Sequence, residues 1–559
     1  MKAIFRLCLS MLICFTTSHT SFAQFTINGK DIVYDKLTNT YMTSIPEDSF
    51  GKDYNATIIL NADSAWSQLS IDGQDAANSF VFQDVQGNKN YQIHARKGNQ
   101  EINAQLTFTF LPIINLQGNF GYDFAKGSLT LLSPESTEPI TALLKAKWRG
   151  GTTNGEGRHK RNYKIKTLNE SDKSQDMAFL GMREDNNWIL DAGQIDLFRL
   201  RNRIATELWN DFATKPYYSD KEPKAKSGVE GKVVEVILNN EYRGIYSLTE
   251  AMDRKELKLK KYDEKNQEFH GQLWKASSWD KAQFWSIEND YDNSKETWHC
   301  FETKYPDIDD VNPTDYSTLY KAIDFVANSD EETFKSEVAD YFDIPVLIDY
   351  QLFMEITQAI DNRGKNMYWG VYDKAKDKKL TLAIWDLDTT VGQFYECGTT
   401  LHPEEVQPNY DIEIKNFHNL YSKLTDYNVN NYTDQVVNRY WELRNTVFSE
   451  NSLKERYQKY YDILLNSGAA KREEARWSHD SDIGGYSLNF KEEINYIKSW
   501  IDQRLHFLDT CIYPNTTSII ITENKRIKKE QPEYNLFGQK ISKDYKGIHI
   551  IKGKKYLQK

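Results

Sequence analysis

Residues 361–392 read D-N-R-G-K-N-M-Y-W-G-V-Y, then a polar connector, then L-T-L-A-I-W-D-L-D-T-T-V-G. Asp361 stands five residues before Asn366, and two more acids, Asp386 and Asp388, close an apolar run that reads as a buried strand. Hard divalent cations such as Mg²⁺ take oxygen ligands and are held by one or two carboxylates plus substrate phosphates. Asn366, Asp386 and Asp388 therefore form a candidate metal cluster, which leaves Asp361 free to act as a base.

Such a cluster works only if other elements bring a partner to it. The segment Asp343 to Ile360 opens D-I-P, with Pro345 in a first turn where proline is tolerated. Its stripe of Val346, Leu347, Tyr350, Phe353, Met354 and Thr357 predicts a core-facing helix that delivers Asp361. Far upstream, T-A-L-L-K-A-K-W-R and N-Y-K-I-K-T-L flank G-G-T-T-N-G-E-G-R-H-K-R, a hairpin over 141–168. Glycines 150, 151, 155 and 157 permit positive φ, which lets backbone N–H groups approach an anion. Lys164 and Lys166 follow on the next strand. Residues 195–212 predict an amphipathic helix capped by Asp196, in which Arg201 faces a phosphate or Glu207 a lysine; as ordinary helix charges they would do neither. V-V-E-V-I-L-N-N-E-Y-R-G-I-Y-S-L-T-E, over 233–250, predicts two strands joined by a tight turn.

N-M-Y-W-G-V-Y and W-D-L-D-T-T-V-G resemble the spore coat protein H (CotH) kinase family, and D-x-x-x-x-N followed by a strand ending in Asp is the kinase catalytic-loop pattern. R-G with Y-K-I-K, D-x-x-x-x-R-N at 196–202, and G-Q-L-W-K at 271–275 are similar to the same family, so the likeness runs from about 141 to 508 in five stretches. It implies an atypical ATP-dependent kinase with Mg²⁺ or Mn²⁺. In that frame Asp361 is the base, Asn366, Asp386 and Asp388 hold metal, and Arg149, Gly155, Gly157, Lys164, Lys166, Arg201 and Glu250 bind the nucleotide, with Glu250 near the hinge. The fold expected is α+β: a small N-terminal β domain, a two-lobed protein-kinase-like core and a short C-terminal β tail. H-R-D, D-F-G and V-A-I-K are absent from the chain, which leaves the choice between Lys164 and Lys166 open.

The start of the chain carries Lys2 and Arg6, an apolar run from Ile4 to Phe15, and Ser21-Phe22-Ala23, the pattern of a secretory signal over 1–23. A β-rich, sandwich-like domain is expected over 24–117, the kinase-like domain over 118–512, and a sorting or anchoring tail over 513–559. That tail resembles C-terminal modules of exported Bacteroidetes proteins. No later run reaches the ~18 apolar residues of a membrane span, so the expectation is export to the periplasm, cell surface or medium, with cell-surface or outer-membrane association. A net charge of −11 over 559 residues disfavours nucleic acid as a partner. With Cys8 and Cys14 in the leader, Cys300, Cys397 and Cys511 supply no disulfide framework. The acceptor is expected to be a protein or a glycan.

Two other readings fit parts of the pattern. D-L-D-T-T matches the D-x-D-x-T of haloacid-dehalogenase-type phosphatases, which would make Asp386 a nucleophile, but that chemistry needs strands alternating with helices downstream. A non-enzymatic surface protein on a degenerate kinase-like fold would keep the acids as a structural metal site or a solvated turn. His159, His402 and His479 lack a second ligand at neighbouring spacing and read as surface or capping residues.

Overall fold

The structure, a computed structural model, describes residues 25–60, 68–97, 99–395 and 400–514, and four short strands between 533 and 558. The expected signal segment 1–23 lies outside the described residues. The chain is mixed α+β and divides into two compact units, one up to Ile501 and one over Asp502–Lys559. No helix of the described residues is long and apolar enough to cross a membrane. The second unit holds the end of the helix Phe490–Phe507 and a four-stranded antiparallel sheet from residues 533–558.

In the first unit, residues 25–109 form a three-stranded and a six-stranded sheet on one core. Phe25, Ile27 and Ile58 come from one sheet, and Leu69, Tyr91, Leu106 and Phe108 from the other. Alternation along each strand puts these residues inward.

Next comes a closed seven-stranded barrel, absent from the expected kinase-like plan. Its strands are β1 (Ile113–Gly118), β2 (Ala125–Leu132), β3 (Ile140–Arg149), β4 (Asn162–Leu168), β5 (Asn187–Asp191), β6 (Gly231–Leu238) and β7 (Glu241–Glu250). Their order is β1-β2-β3-β4-β5-β7-β6, and β6 closes it by pairing parallel to β1 from Ile113↔Glu235 to Leu116↔Leu238. β1 straddles the position near 117 where a domain boundary was expected. The predicted hairpin over 141–168 is β3–β4, with Lys147 opposite Lys164 and Lys145 opposite Lys166. The Asn239-Asn240 turn between β6 and β7 has φ of 51° and 60°, the positive pair that a two-residue type I′ hairpin needs.

Ala146, Tyr163, Ile165, Trp188, Leu190, Tyr246 and Leu248 fill the barrel. Alternation then turns Lys145, Lys147, Arg149, Lys164, Lys166, Ile189, Asp191, Ser247 and Thr249 to its outside. Helix α1 (Arg201–Phe212) covers part of that outer face.

A five-stranded antiparallel sheet comes after the barrel: β8 (Gln272–Ala276), β9 (Thr297–Trp298), β10 (Phe301–Tyr305), β11 (Tyr368–Val371) and β12 (Leu380–Ala383), in the order β9-β10-β8-β11-β12. Helix α2 (Ile344–Thr357) is buried on every side from Val346 onward, beyond the single stripe read from the sequence. Its polar members are satisfied: Asp349 accepts from Thr214 and Arg439. Residues 389–501 contain only helical elements and loops among the described residues, including α3 (Ala469–Trp477) and the start of α4 (Phe490–Phe507).

Candidate active site

Helix α2 ends at Gln358, which takes a left-handed φ of 52°, and a single 3₁₀ turn, Ile360–Asn362, then presents Asp361. Two neighbours fix this turn. Tyr350 Oη donates to the Asn362 carbonyl at 2.6 Å, and Asn362 Nδ2 donates 2.7 Å across to the carbonyl of Trp385. Asn362 thus ties the turn that carries Asp361 to the segment that carries Asp386.

Asp361 is buried; Lys365 Nζ lies 3.0 Å from its Oδ2, and Asn366 Nδ2 donates to the same oxygen at 3.0 Å. Burial pushes its carboxyl up, opposed by Lys365 and reinforced by Asp386. Asn366 has a φ of 60° and is itself buried.

Asp386 does not end a strand as expected. β12 stops at Ala383, because the chain leaves the sheet where Ile384 N–H donates to the Ser227 carbonyl. Asp386 then adopts a φ of 62°. Both Asn366 and Asp386 occupy the left-handed region, which Asn and Asp tolerate better than other side chains, and such backbone concentrates at functional sites.

A fourth acid, unmarked by any motif, completes the group. Asp191, at the end of β5, accepts from Asn202 Nδ2 at 2.7 Å, while Asn202 Oδ1 accepts the Leu387 N–H at 3.1 Å. Asn202 therefore bridges the barrel to the Asp386–Asp388 segment. Burial, then Asp386, Asp191 and Asp361, push the Asp388 carboxyl well above the usual range. Neither Asp386 nor Asp388 has an ion pair or hydrogen bond to its side chain among the described residues. An all-oxygen, under-compensated donor set of this kind fits a hard divalent cation, and the engagement of the Asn366 amide nitrogen by Asp361 leaves its Oδ1 as a further oxygen donor beside it.

Facing this acid group is the basic outer wall of the barrel. Arg149, the last residue of β3, stacks 5.3 Å over the Trp385 ring, beside Asp386. Lys164 is pushed down to about 8 by burial, then by Lys166, Lys304, Lys147 and Arg149. Lys145, Lys147 and Lys166 gather over the Phe124 ring at 5.0 to 5.5 Å. Lys275, at the end of G-Q-L-W-K, is lowered by burial and raised in opposition by Asp386. It lies within electrostatic reach of Asp386, Glu302, Arg149 and Lys304, a position that spacing could not reveal, although the family-like stretch did end on it.

Two expected nucleotide-binding residues, Arg201 and Glu250, are engaged elsewhere. Arg201 is entirely buried: its guanidinium holds Asp196 at 2.6 Å and Glu493 at 2.5 Å and donates to the Val391 carbonyl, so it cannot meet a phosphate. Glu250 shares the inward face of β7 with Tyr246 and Leu248. It accepts the Arg183 and Glu230 N–H groups at the edge of a separate cavity of about 700 Å³ with Met182, Lys232 and Glu256. The glycine-rich turn makes its own local contacts. The Gly155 carbonyl accepts from Arg161 at 2.9 Å, Gly157 has a φ of 78° with open space around it, and Gly155 has no positive φ.

The base of that turn is clasped by a distant loop. Asp482 Oδ2 accepts the N–H groups of His159 and Lys160 at 2.9 and 2.8 Å, and His159 Nδ1 lies 2.9 Å from Asp480. These three side chains offer ligand atoms within 4.8 Å of one another, but backbone donors already occupy Asp482 Oδ2 and Asp480 Oδ1. Glu207, the other helix acid, pairs with Arg203 and Tyr460 and not with Lys164 or Lys166.

The phosphatase reading fails on topology: the strand before D-L-D is the antiparallel edge of its sheet, and no strand follows in residues 389–501 among those described. A family model described as CotH kinase protein matches residues 146–508, a stretch that contains every residue of this site from Arg149 to Asp388. A search of curated proteins finds no match.

Proposed function

The chain belongs to the CotH kinase family, and from that premise we propose that it transfers the γ-phosphoryl group of ATP to a hydroxyl acceptor. The observation that supports the reading is the grouping of Asp361 and Asp388 with Asp386, which in turn acts on Lys275 and lies beside Trp385 under Arg149. The barrel and the five-stranded sheet then play the parts of two lobes. The secretory pattern of residues 1–23 supports a reaction outside the cytoplasm, in the periplasm, at the surface or beyond it.

Asn366, Asp386 and Asp388 would hold Mg²⁺ or Mn²⁺, with Asp191 bracing the group through Asn202. Bound there, the cation neutralises charge on the transferring phosphate, which is most of what phosphoryl transfer asks of a protein. Lys164, Lys166, Arg149 and Lys275 take the remaining phosphate charge. Asp361 accepts the proton of the acceptor hydroxyl, and its burial beside Lys365 raises its basicity without removing its charge partner.

Calorimetric titration with ATP and Mg²⁺ tests this. Asp386→Ala should lose metal-dependent nucleotide binding. Asp361→Ala should bind Mg·ATP and slow transfer by about 10²–10⁴, the usual loss of an acid–base group. A parent protein that binds no nucleotide would overturn the reading.

One observation favours the alternative of a non-enzymatic surface protein: Glu207 does not pair with a cleft lysine, as the kinase helix Glu would. Under that reading neither variant differs from the parent in any nucleotide titration.

A further inference from the structure

Of the thirteen tryptophans in the chain, the two exposed ones among the described residues are Trp279 and Trp285, at 39% and 50%. Trp279 stands beside the turn that carries Asp361, and Trp285 is tied to Phe417. Segment 279–283 packs directly on Gly364, where a Cβ would come 2.8 Å from Gln283 Cγ. Lys365 Nζ, 3.0 Å from Asp361, is also 5.2 Å from the centre of the Trp279 ring, so the indole face begins within one side chain of the candidate base.

The rings are held in place. Trp279 and Tyr395 lie 5.8 Å apart, Arg363 stacks 3.7 Å over Phe417, and Trp285 Nε1 donates to the Phe417 carbonyl at 2.9 Å. Between them is a cavity of about 260 Å³ that reaches Ile360, next to Asp361, with Gln283, Arg363 and Glu405 in its wall. Leaving large rings at the surface costs hydrophobic free energy that burial would recover. Here the exposed faces adjoin a polar rim whose Arg363 and Glu405 carry opposite charges.

We propose that this pocket is the acceptor subsite and that its occupant is a neutral saccharide, whose ring stacks on Trp279 and turns one hydroxyl toward Asp361. Aromatic faces match the C–H faces of a sugar ring, and an amide, a guanidinium and a carboxylate match its hydroxyl edges with donors and acceptors. A peptide acceptor would call for an open strand edge or a charged groove. One edge of the five-stranded sheet, β12, is buried from Leu380 to Ala383.

The proposal rests on the phosphotransferase reading for its reaction. The sugar oxygen bonds to the γ-phosphorus of a nucleoside triphosphate while its proton passes to Asp361. The bond from that phosphorus to the bridging oxygen breaks, and its electron pair leaves with the nucleoside diphosphate. The product is a sugar phosphate monoester.

The test uses the full chain with three neutral probes, maltohexaose, cellohexaose and chitohexaose, and a neutral serine- and threonine-containing peptide. Tryptophan fluorescence reads binding, labelled ATP reads transfer, and a Mg·ATP titration of each sample reads the nucleotide side separately. At least one hexasaccharide should bind and be labelled. Trp279→Ala should weaken that binding at least about tenfold, and Trp279→Phe should restore most of it, because a ring face remains. The subsite is overturned if Mg·ATP binds but no hexasaccharide does, if Trp279→Ala leaves saccharide binding unchanged, or if the peptide alone is labelled. Trp279-dependent saccharide binding in a protein that binds no nucleotide supports the subsite and overturns the transfer step.

Discussion

Asp388 sits among four other carboxylates, Asp386, Asp191, Asp361 and Asp196, and the free protein bears their repulsion. Asp388→Asn should therefore raise the unfolding temperature of the metal-free protein by about 1–3 °C while abolishing the further rise that Mg²⁺ gives the parent. Scanning calorimetry with and without Mg²⁺ separates the two effects, and a variant that Mg²⁺ still stabilises would remove Asp388 from the ligand set. Lys164 carries a pH prediction. Its folded value, about 8, lies below the ordinary lysine value, so the native chain binds fewer protons than the unfolded one between them. The stability penalty of charging it is fully present below about 8 and is relieved as pH rises. Phosphate binding needs the charged form, so nucleotide affinity should fall from about pH 7 to about pH 9, a window in which Lys164 loses its proton. Lys164→Arg should flatten that fall in a calorimetric pH series, whereas an unchanged slope would pass the phosphate role to Lys166 or Lys275.

At the scale of elements, Arg201 makes a clean case. It joins the start of α1 to Asp196, to Glu493 on α4 and to the Val391 carbonyl. Arg201→Gln should lower stability by about 3–5 kcal/mol, the range for breaking one side of a buried pair, and leave the nucleotide affinity of the folded fraction unchanged. Denaturant unfolding combined with ATP titration tests both parts. The hairpin β3–β4, the helix leading to Asp361 and the pair β6–β7 were legible in the sequence, because each is a local pattern of period or turn chemistry. The acid and amide at 361 and 366 were legible for the same reason. Barrel closure was not, since β1 meets β6 across more than a hundred residues and neither strand encodes its partner. Nor was the clasp on His159, whose partner Asp480 lies 321 positions away. Glu250 shows the reverse: strand parity with Tyr246 and Leu248 turns it inward, a signal that its nearness to the expected hinge overrode.

Across the first unit, the N-terminal sheets are joined to the barrel and to the helical region by both apolar and polar contacts. Val33 and Met42 share a cluster with Ile113, Leu132, Ile237 and Tyr242, and Asp35 accepts the Tyr242 N–H. Arg472 holds Glu235 through two nitrogens at 2.8 Å and donates to the carbonyls of Gly87 and Ser467. Gly87 has no room for a Cβ, which would fall 2.2 Å from the Ser467 backbone carbon. Gly87→Ala should thus loosen this junction and lower the unfolding temperature, while substitution at the open Gly51 turn should act only through its positive φ. The same long reach applies to the buried Lys160–Glu473 pair, the Arg199–Glu473 pair, and the clasp of Asp482 on the β3–β4 turn. In time, this means that the site residues from Arg149 to Asp388 are synthesised before the C-terminal residues 472–493 that hold the barrel, the β3–β4 turn and the start of α1. A chain ending near 465 would carry the complete chemistry and no working site. Ribosome-bound or truncated chains of that length should fail to bind Mg·ATP, and binding should appear only once residues 473–493 are present. The fold thereby delays assembly of the site until the chain is nearly finished.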